Sequence, residues 1–145
     1  YPLRRQRQMC IETAIDSLKG SLTSIQAGEA IEKGIKKVDL EAEVVIKPLA
    51  DGGEGCLDAQ TAMGKAPIGV AKLAKKYGKL VLGFSGAVTK GATACNEAGI
   101  DAYFPIVRSA VSLEDAMKKK NAQENLIDTV EQVFPCDKSI KIKIS

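Results

Sequence analysis

Three short polar segments of the chain hold the residue types that could carry out chemistry. The first holds Asp16, Ser17, Lys19 and Ser21, the second is Asp51-Gly52-Gly53-Glu54-Gly55, and the third holds Asp58, Gln60, Thr61 and Lys65. Carboxylates can hold Mg²⁺, whereas lysines, hydroxyls and backbone amides can hold phosphate groups. If one edge of the fold gathers the three segments, the sequence predicts a site for a phosphorylated or metal-bound ligand.

Each segment also has an ordinary structural interpretation. Asp16-Ser17 is common turn chemistry, and Lys65 fits a solvated surface lysine as well as an anion-binding one. The second segment is the hardest to explain by structure alone, because its three glycines within four positions cost backbone entropy. Such a cost is typical of a loop that needs positive φ angles, or of a loop whose main chain a ligand approaches closely. Both interpretations stay open for all three segments.

Several chemistries are excluded or disfavoured by residues that the chain lacks. It has no histidine, which excludes Ser-His-Asp triads, histidine general bases and histidine-ligated zinc. A Walker loop is disfavoured because Gly64-Lys65 is followed by Ala66, where Ser or Thr is required. A dinucleotide-binding fingerprint beginning at Gly53 fails because Asp58 stands in the place of its third glycine.

Charge and cysteine usage favour a cytoplasmic protein that binds no nucleic acid and no membrane. The net charge is +3, but the first eight residues carry three positive charges and the last nine a net two, so the body carries −2. Nucleic-acid binders combine a basic patch with aromatic residues, and this chain has no Trp and only six Tyr and Phe. The widely spaced cysteines predict reduced thiols. No apolar run approaches the roughly 18 residues of a membrane span, and no leader is recognised.

Hydrophobic periodicity and capping signals predict alternating strands and helices. Strands are expected over residues 9–15, 43–50, 80–84 and 102–106. Helices are expected from the capping box of Thr23 and Gln26 to residue 38, from Pro67 to a stop at Gly78, over 93–98 before Gly99, from Ser112 onward, and over 122–134. The alternating residues near the C-terminus fit either an edge strand or a frayed tail.

This alternation predicts a single α/β domain of the Rossmann-like class, with a three-layer α/β/α architecture and a mainly parallel sheet. In such sheets, ligands bind in the crevice beyond the carboxyl ends of the strands. The three polar segments each follow a strand or precede a helix. We therefore expect the fold to bring them together at that crevice.

The polar segments lie within longer stretches that resemble the bacterial glycerate kinase family. Residues 9–22 resemble that family's N-terminal motif, a short strand followed by Asp-Ser-aromatic-Lys-(Gly/Glu)-Ser, with Leu18 in the aromatic position. The likeness continues over residues 27–38 and 48–55. Residues 53–71 are similar to the family's late Gly-Glu-Gly-Arg-(Ile/Leu)-Asp-x-Gln-Thr motif, with Cys56 in the place of Arg, and the likeness extends over 96–134.

The resemblance implies how the chain is organised. Family members are more than twice as long, and a large middle region, with a Gly-Gly-Ser-Ala-Thr-Asn-Asp-Gly-Gly segment, separates the two motifs. Here a block at residues 9–55 would join a block at 53–135 through the shared Gly53-Glu54-Gly55. Both blocks belong to one flavodoxin-like domain in the family, so residues 9–135 are expected to form that domain. Residues 1–8 are expected to be a foreign or disordered extension, because Met9 aligns with the family's usual start, and 136–145 a tail.

The resemblance also implies a function, the ATP-dependent phosphorylation of D-glycerate with Mg²⁺. It implies catalytic roles for Asp16, Lys19 and Asp51, with Asp16 and Asp51 as metal ligands. It implies substrate or phosphate binding by Ser17, Ser21, Gly52, Gly53, Glu54, Gly55, Asp58, Gln60, Thr61 and Lys65. Without the family's second domain the cleft would be open to water, so weak or absent turnover is expected.

A non-catalytic function is the alternative that the sequence leaves open. The chain would then be a remnant α/β domain that binds an anion or a partner. Under either interpretation, the face that the missing domain leaves exposed would favour association between copies of the chain.

Overall fold

The structure, a computed structural model, describes residues 10–15, 21–48, 56–57 and 66–134. Its strands are β1 (Cys10–Ile15), β2 (Glu43–Pro48), β3 (Cys56–Leu57), β4 (Leu82–Ser85), β5 (Ala87–Val88) and β6 (Ala102–Pro105). Its helices are α1 (Ser24–Val38), α2 (Ala66–Lys76), α3 (Ala94–Glu97), α4 (Leu113–Met117) and α5 (Lys119–Val133). None of the described helices is long and apolar enough to cross a membrane. The extension expected at residues 1–8 and the tail at 136–145 lie outside the described residues.

The first three elements form a parallel β-α-β unit. Strands β1 and β2 pair in parallel along their whole length, and at their carboxyl ends Ile15 lies opposite Pro48. Helix α1 begins at the predicted capping box. Thr23 Oγ1 accepts a hydrogen bond from the Gln26 N–H, and Gln26 Oε1 accepts one from the Thr23 N–H, each at 3.2 Å. Both the predicted start of this helix and its end at Val38 are confirmed.

Two glycines allow α1 to pack closely on both of its neighbours. A Cβ atom at Gly28 would overlap the Cγ2 of Ile46 on β2. A Cβ atom at Gly34 would lie 2.8 Å from the carbonyl oxygen of Ile127 and 2.8 Å from the Cβ of Val130, both on α5. Helix α1 is therefore in contact with β2 and with α5 at distances that a side chain would not allow.

The strand pairs in the described part of the chain are parallel, which agrees with the predicted α/β class. Strand β1 pairs with β2, β3 with β5, and β4 with β6. These pairs form three two-stranded sheets within the described residues. The sequence pattern does not predict β3 or β5, because a strand of two residues leaves no periodic signal.

The two faces of the β4–β6 pair carry different hydrophobic clusters. Phe84 and Phe104 are opposite each other in the register, with ring centroids 5.7 Å apart, and Phe84 packs against a cluster formed largely by α1 and α5. Tyr103, the neighbour of Phe104, packs against a second cluster that includes residues of α2 and α3. Successive side chains of a strand point to opposite faces of the sheet. The two clusters therefore lie on opposite sides of this strand pair.

Glycines end α2 and α3 as the sequence predicts. Gly78 follows α2 with a φ of 64°, and Gly99 follows α3 with a φ of 114°. Both angles lie in the left-handed region that favours glycine. Helix α2 stops at Lys76, so Tyr77, which we expected within the helix, lies in the turn. Helix α3 is shorter than predicted because a 3-10 turn, Lys90–Thr93, precedes it.

The C-terminal helical region is divided in two. Ser112 caps α4, because its Oγ accepts a hydrogen bond from the Asp115 N–H at 3.1 Å. Lys118 then has a ψ of 127°, which is not helical, and α5 starts at the next residue. The long helix predicted from residue 122 thus begins three residues earlier, at Lys119.

Candidate functional site

Among the predicted site residues, the structure describes Ser21, which lies partly buried in the turn before α1. The others lie outside the described residues: Asp16, Ser17, Lys19, Asp51, Gly52, Gly53, Glu54, Gly55, Asp58, Gln60, Thr61 and Lys65. The described elements still define where these segments leave the fold and where they return to it. The geometry of the candidate site is therefore the geometry of these strand and helix ends.

The carboxyl ends of β1 and β2 lie side by side. Ile15 is opposite Pro48 in the parallel register, and neighbouring strands are about 4.8 Å apart. Asp16 is bonded directly to Ile15, and Asp51 lies three residues beyond Pro48. The two segments that carry the predicted catalytic carboxylates thus start at adjacent points of one sheet edge.

The first segment returns to the fold at the N-terminus of α1. Residues 16–20 connect β1 to Ser21, and α1 begins at Ser24. The first turn of a helix offers unsatisfied backbone amides and a partial positive charge, both of which favour an anion. The capping box already uses the amides of Thr23 and Gln26. The amides of Ser24 and Ile25, the first two residues of the helix, are the ones that lack an intrahelical partner.

The third segment leaves the fold beside a strand that the sequence pattern does not predict. Leu57, the last residue of β3, lies opposite Val88 of β5, and Asp58 follows Leu57 directly. Thr89 and Lys90 follow Val88 and so leave β5 from the same end of this parallel pair. Asp58, Thr89 and Lys90 therefore follow neighbouring strand ends, although sequence reasoning pointed only to Asp58.

The turn between β4 and β5 has a partly buried hydrogen bond. Ser85 is only 4% exposed, and its Oγ donates to the carbonyl oxygen of Ala87 at 2.9 Å. This bond shapes the turn that leads into β5, the partner of β3. Gly86 is the sequence signal of this turn, and Ser85-Gly86 is predicted as a turn from the sequence, but the polar residues after β5 are not singled out.

Two described carboxyl groups with a lowered pKa belong to ion pairs that include none of the predicted site residues. Burial raises the pKa of Asp101, but hydrogen bonds from Lys75 and from the Val81 N–H outweigh burial and lower it. Hydrogen bonds from Lys118 and Ser112 lower the pKa of Asp115. No group of three or more Cys, Asp or Glu side chains among the described residues could hold a metal ion.

Two surface grooves in the described part of the chain contain none of the predicted site residues. The larger, about 970 Å³, lies between α1 and α5 and is lined by charges of both signs, such as Glu29, Lys33 and Glu124. The smaller, about 570 Å³, lies between the end of β6 and α5 and includes Pro105 and Arg108. The mixed charges of the first groove give it no clear preference for an anion.

Comparison with known proteins assigns the chain to a family. The model of the glycerate kinase family matches residues 11–59 and 53–136. The chain belongs to the glycerate kinase family. This confirms the resemblance of the motifs. The two matched ranges overlap at residues 53–59, so the stretch that contains Gly53-Glu54-Gly55 corresponds to two places in the family.

Relatives within the glycerate kinase family are much longer than this chain. The glycerate kinase of Bacillus subtilis is 44% identical over 99 residues, which cover 67% of this chain and 26% of that protein. The glycerate kinase of Haemophilus influenzae is 37% identical over 117 residues, 77% of this chain and 29% of that protein. The glycerate 2-kinase of Escherichia coli is 38% identical over 95 residues, 63% of this chain and 25% of that protein. No solved structure matches the chain.

Proposed function

We propose that this member of the glycerate kinase family takes part in the transfer of the γ-phosphoryl group of ATP to D-glycerate. The observation that carries the proposal is the family match over residues 11–59 and 53–136, which includes every predicted site residue. The relatives from B. subtilis and H. influenzae are named glycerate kinases. Phosphoryl transfer depends mainly on positioning and charge neutralisation, which the polar segments of this chain can supply.

The proposed site lies where the three segments leave the carboxyl ends of β1, β2 and β3. Asp16, Lys19 and Asp51 would contact the reacting groups, with Lys19 neutralising phosphate charge and Asp51 orienting a glycerate hydroxyl. The surrounding contacts to substrate and phosphate would come from Ser17, Ser21, Gly52, Gly53, Glu54, Gly55, Asp58, Gln60, Thr61 and Lys65. The parallel register of β1 and β2, with Ile15 opposite Pro48, supports the convergence of the first two segments.

The donor chemistry of the proposed site fits Mg²⁺. Asp16 and Asp51 provide carboxylate oxygens, the ligands that this hard cation prefers, and their segments begin at adjacent strand ends. When bound, Mg²⁺ supplies positive charge that offsets the charge of the transferred phosphoryl group. Asp16 and Asp51 would hold the ion, while Lys19 and the glycine amides bind phosphate oxygens.

We also infer that residues 9–135 form one three-layer, flavodoxin-like domain. Hydrophobic clusters on both faces of the β4–β6 pair support a layer of helices on each side of the strands. The parallel direction of the described strand pairs supports the same architecture. In this arrangement, the block at residues 9–55 and the block at 53–135 contribute neighbouring parts of one site.

We expect turnover by the 145-residue chain alone to be weak. The chain spans only 26% of the B. subtilis relative and 29% of the H. influenzae relative, so a cleft shared with further chain would be open to water. Proximity and orientation contribute about 7 to 11 kcal/mol in well-organised sites. A loss of about 4 kcal/mol would slow the reaction about a thousandfold.

The test is a coupled assay of ADP release with D-glycerate and Mg-ATP, on the full chain and on Asp16→Asn and Lys19→Ala. Matched controls are Glu124→Gln and Lys120→Ala on α5, whose side chains are 62% and 84% exposed. We expect ADP release above background that requires glycerate, disappears with a metal chelator, is abolished by both site variants and persists in both controls. ADP release that is unchanged in the two site variants would contradict the proposed site.

Thermal-shift titrations with glycerate and Mg-ATP separate binding from turnover. A ligand at a hundred times its dissociation constant stabilises the folded chain by about 2.7 kcal/mol. Stabilisation that Asp16→Asn or Lys19→Ala removes would support the proposed site even where turnover is too slow to measure. A chain with neither turnover nor stabilisation would be a non-catalytic member of the family.

A further inference from the structure

A long stretch of the chain is uniformly basic. Residues 59–96 include no Asp and no Glu, but they include six lysines: Lys65, Lys72, Lys75, Lys76, Lys79 and Lys90. The whole chain is only +3, so the residues outside this stretch carry a net −3. Four of the six lysines lie on α2 or within three residues of its end. Positive charge is therefore concentrated on one helix.

Three of these lysines form no ion pair within the described residues. Lys75 pairs with the carboxylate of Asp101, next to β6. Lys72, Lys76 and Lys79 are exposed, and no ion pair within the described ranges includes them. Their positive charge is available to a partner.

Helix α2 and the residues just after it also expose apolar side chains. Leu73 is 59% exposed, Tyr77 67% and Leu80 36%. Tyr77 lies in the turn that ends α2, where its N–H donates to the Ala74 carbonyl oxygen at 3.1 Å, about one helical turn beyond Leu73. The opposite side is fully packed, since Ile68 is 1% and Ala71 0% exposed. The exposed row is thus a second apolar surface in addition to the one that attaches α2 to the domain.

A glycine extends this row by one turn. Gly69 lies four residues before Leu73, is exposed, and has nothing within 4 Å of the position that a Cβ would occupy. Glycine within a helix lowers stability relative to alanine, and no close contact of the described structure requires glycine here. The missing side chain would let another backbone approach α2 closely. We call Gly69 and Leu73 on α2, together with Tyr77 and Leu80 just after it, the α2 row.

We propose that the α2 row and its lysines form a docking site for an acidic amphipathic helix of a partner protein. Apolar side chains of that helix would pack on Leu73, Tyr77 and Leu80, and its backbone would approach Gly69. Its flanking Asp and Glu residues would pair with Lys72, Lys76 and Lys79. The lysines would also attract a lipid surface or a nucleic acid. The binding of either would not depend on the absence of a side chain at Gly69. This proposal is independent of phosphoryl transfer.

The test follows backbone amide shifts by NMR in the full chain as a helix-forming peptide is added. The probe is about four turns long, with Leu at a spacing of three and four residues and Glu on both flanks, and its control is the same composition in scrambled order. We expect shifts concentrated at residues 69–80 with the probe and none with the scrambled peptide. Substituting Lys72→Glu and Lys76→Glu together should weaken binding about tenfold or more, and a probe with Lys in place of Glu should restore it.

One further variant tests whether the bound partner is a helix, and a second controls for the change of charge. Gly69→Ala should weaken probe binding about fivefold or more, because the new Cβ occupies the space of the approaching backbone. The same change should raise the melting temperature of the free chain, which shows that the fold is intact. Lys119→Glu with Lys120→Glu on α5 is the matched control for charge and should leave binding unchanged.

Several results would overturn the proposal. One is equal binding of the probe and its scrambled control, or no binding of either. Another is probe binding that Gly69→Ala leaves unchanged. Binding to phosphatidylcholine vesicles that contain phosphatidylserine, or to a single-stranded DNA oligonucleotide, without binding to the probe would identify the face as a lipid or nucleic-acid surface instead.

Discussion

The Asp101 carboxylate joins three parts of the described structure. It accepts a hydrogen bond from the Nζ of Lys75 on α2 and one from the Val81 N–H at 2.7 Å, and it directly precedes β6. The charge and hydrogen bond of Lys75 help to hold the pKa of Asp101 below its usual value, although burial opposes them. We expect Asp101→Asn to lower the free energy of unfolding by about 0.5 to 1 kcal/mol at neutral pH, because solvent screens this partly exposed pair.

The contribution of Asp101 should disappear in acid. Its pKa is lower in the folded chain than in the unfolded chain, so the pair stabilises the fold above about pH 4 and is lost as the pH falls through the folded value. Urea denaturation at about pH 7 and about pH 3 measures the difference between the wild type and Asp101→Asn, which should shrink in acid. Asp128→Asn is the control, because Asp128 is 51% exposed and 3.8 Å from Arg108. An equal difference at both pH values would contradict this role of Asp101.

Alanine substitutions at two glycines, one crowded and one in open space, test how closely α1 packs against α5. A Cβ at Gly34 would lie 2.8 Å from a backbone oxygen and from a Cβ atom of α5. The two helices would have to separate, so Gly34→Ala should destabilise the chain by about 1 to 3 kcal/mol. Gly69→Ala, in open space, should instead stabilise it by about 0.4 to 1 kcal/mol. Chemical denaturation of both variants provides the measurement, and stabilisation by Gly34→Ala would show that the helices are not packed as described.

The capping box at the start of α1 should make a measurable contribution to stability. Thr23→Ala removes the acceptor for the Gln26 N–H and should cost about 1 kcal/mol of unfolding free energy. Thr93→Ala is the control, because Thr93 precedes α3 without a side-chain capping bond. Circular dichroism during urea titration would report both. If the two variants lost equal stability, the capping bond would not be the cause.

The sequence predicts the start or end of a single helix where the residues at that boundary carry a local signal. The start of α1 follows from Thr23 and Gln26, and the ends of α2 and α3 follow from glycines with positive φ. The sequence predicts two helices after Ser112, but the position of the break at Lys118 has no such signal. It is held by contacts across the break, in which Lys118 pairs with Asp115 at 2.6 Å and Asn121 donates to the Asp115 carbonyl oxygen at 2.8 Å. Contacts of this kind form only after the helices have taken their places.

At the scale of the whole molecule, strand direction is predictable but exposure is not. The expectation that polar segments follow neighbouring parallel strands agrees with the register of Ile15 and Pro48. The periodicity of α2, in contrast, gives Leu73 the same apolar character as Ile68, yet Leu73 is 59% and Ile68 1% exposed. Which apolar side chain is covered depends on the neighbours of the helix, and those neighbours come from distant parts of the chain.

Helix α4, which follows β6, lies at the surface and exposes apolar side chains. Leu113 is 76%, Val111 49% and Met117 39% exposed, and none of the five residues of α4 is buried. Clustered apolar exposure of this kind favours association. We expect the chain to self-associate at high concentration, and Leu113→Ser to shift it towards the monomer.

Analytical ultracentrifugation over a range of concentrations measures this association. Leu40→Ser is the matched control, because Leu40 is 85% exposed but lies beyond the end of α1 rather than on α4. A polar residue at position 40 should leave the association constant unchanged, whereas one at position 113 removes apolar area from the contact itself. A chain that stays monomeric at high concentration, or two variants that weaken association equally, would show that α4 is not where the copies meet.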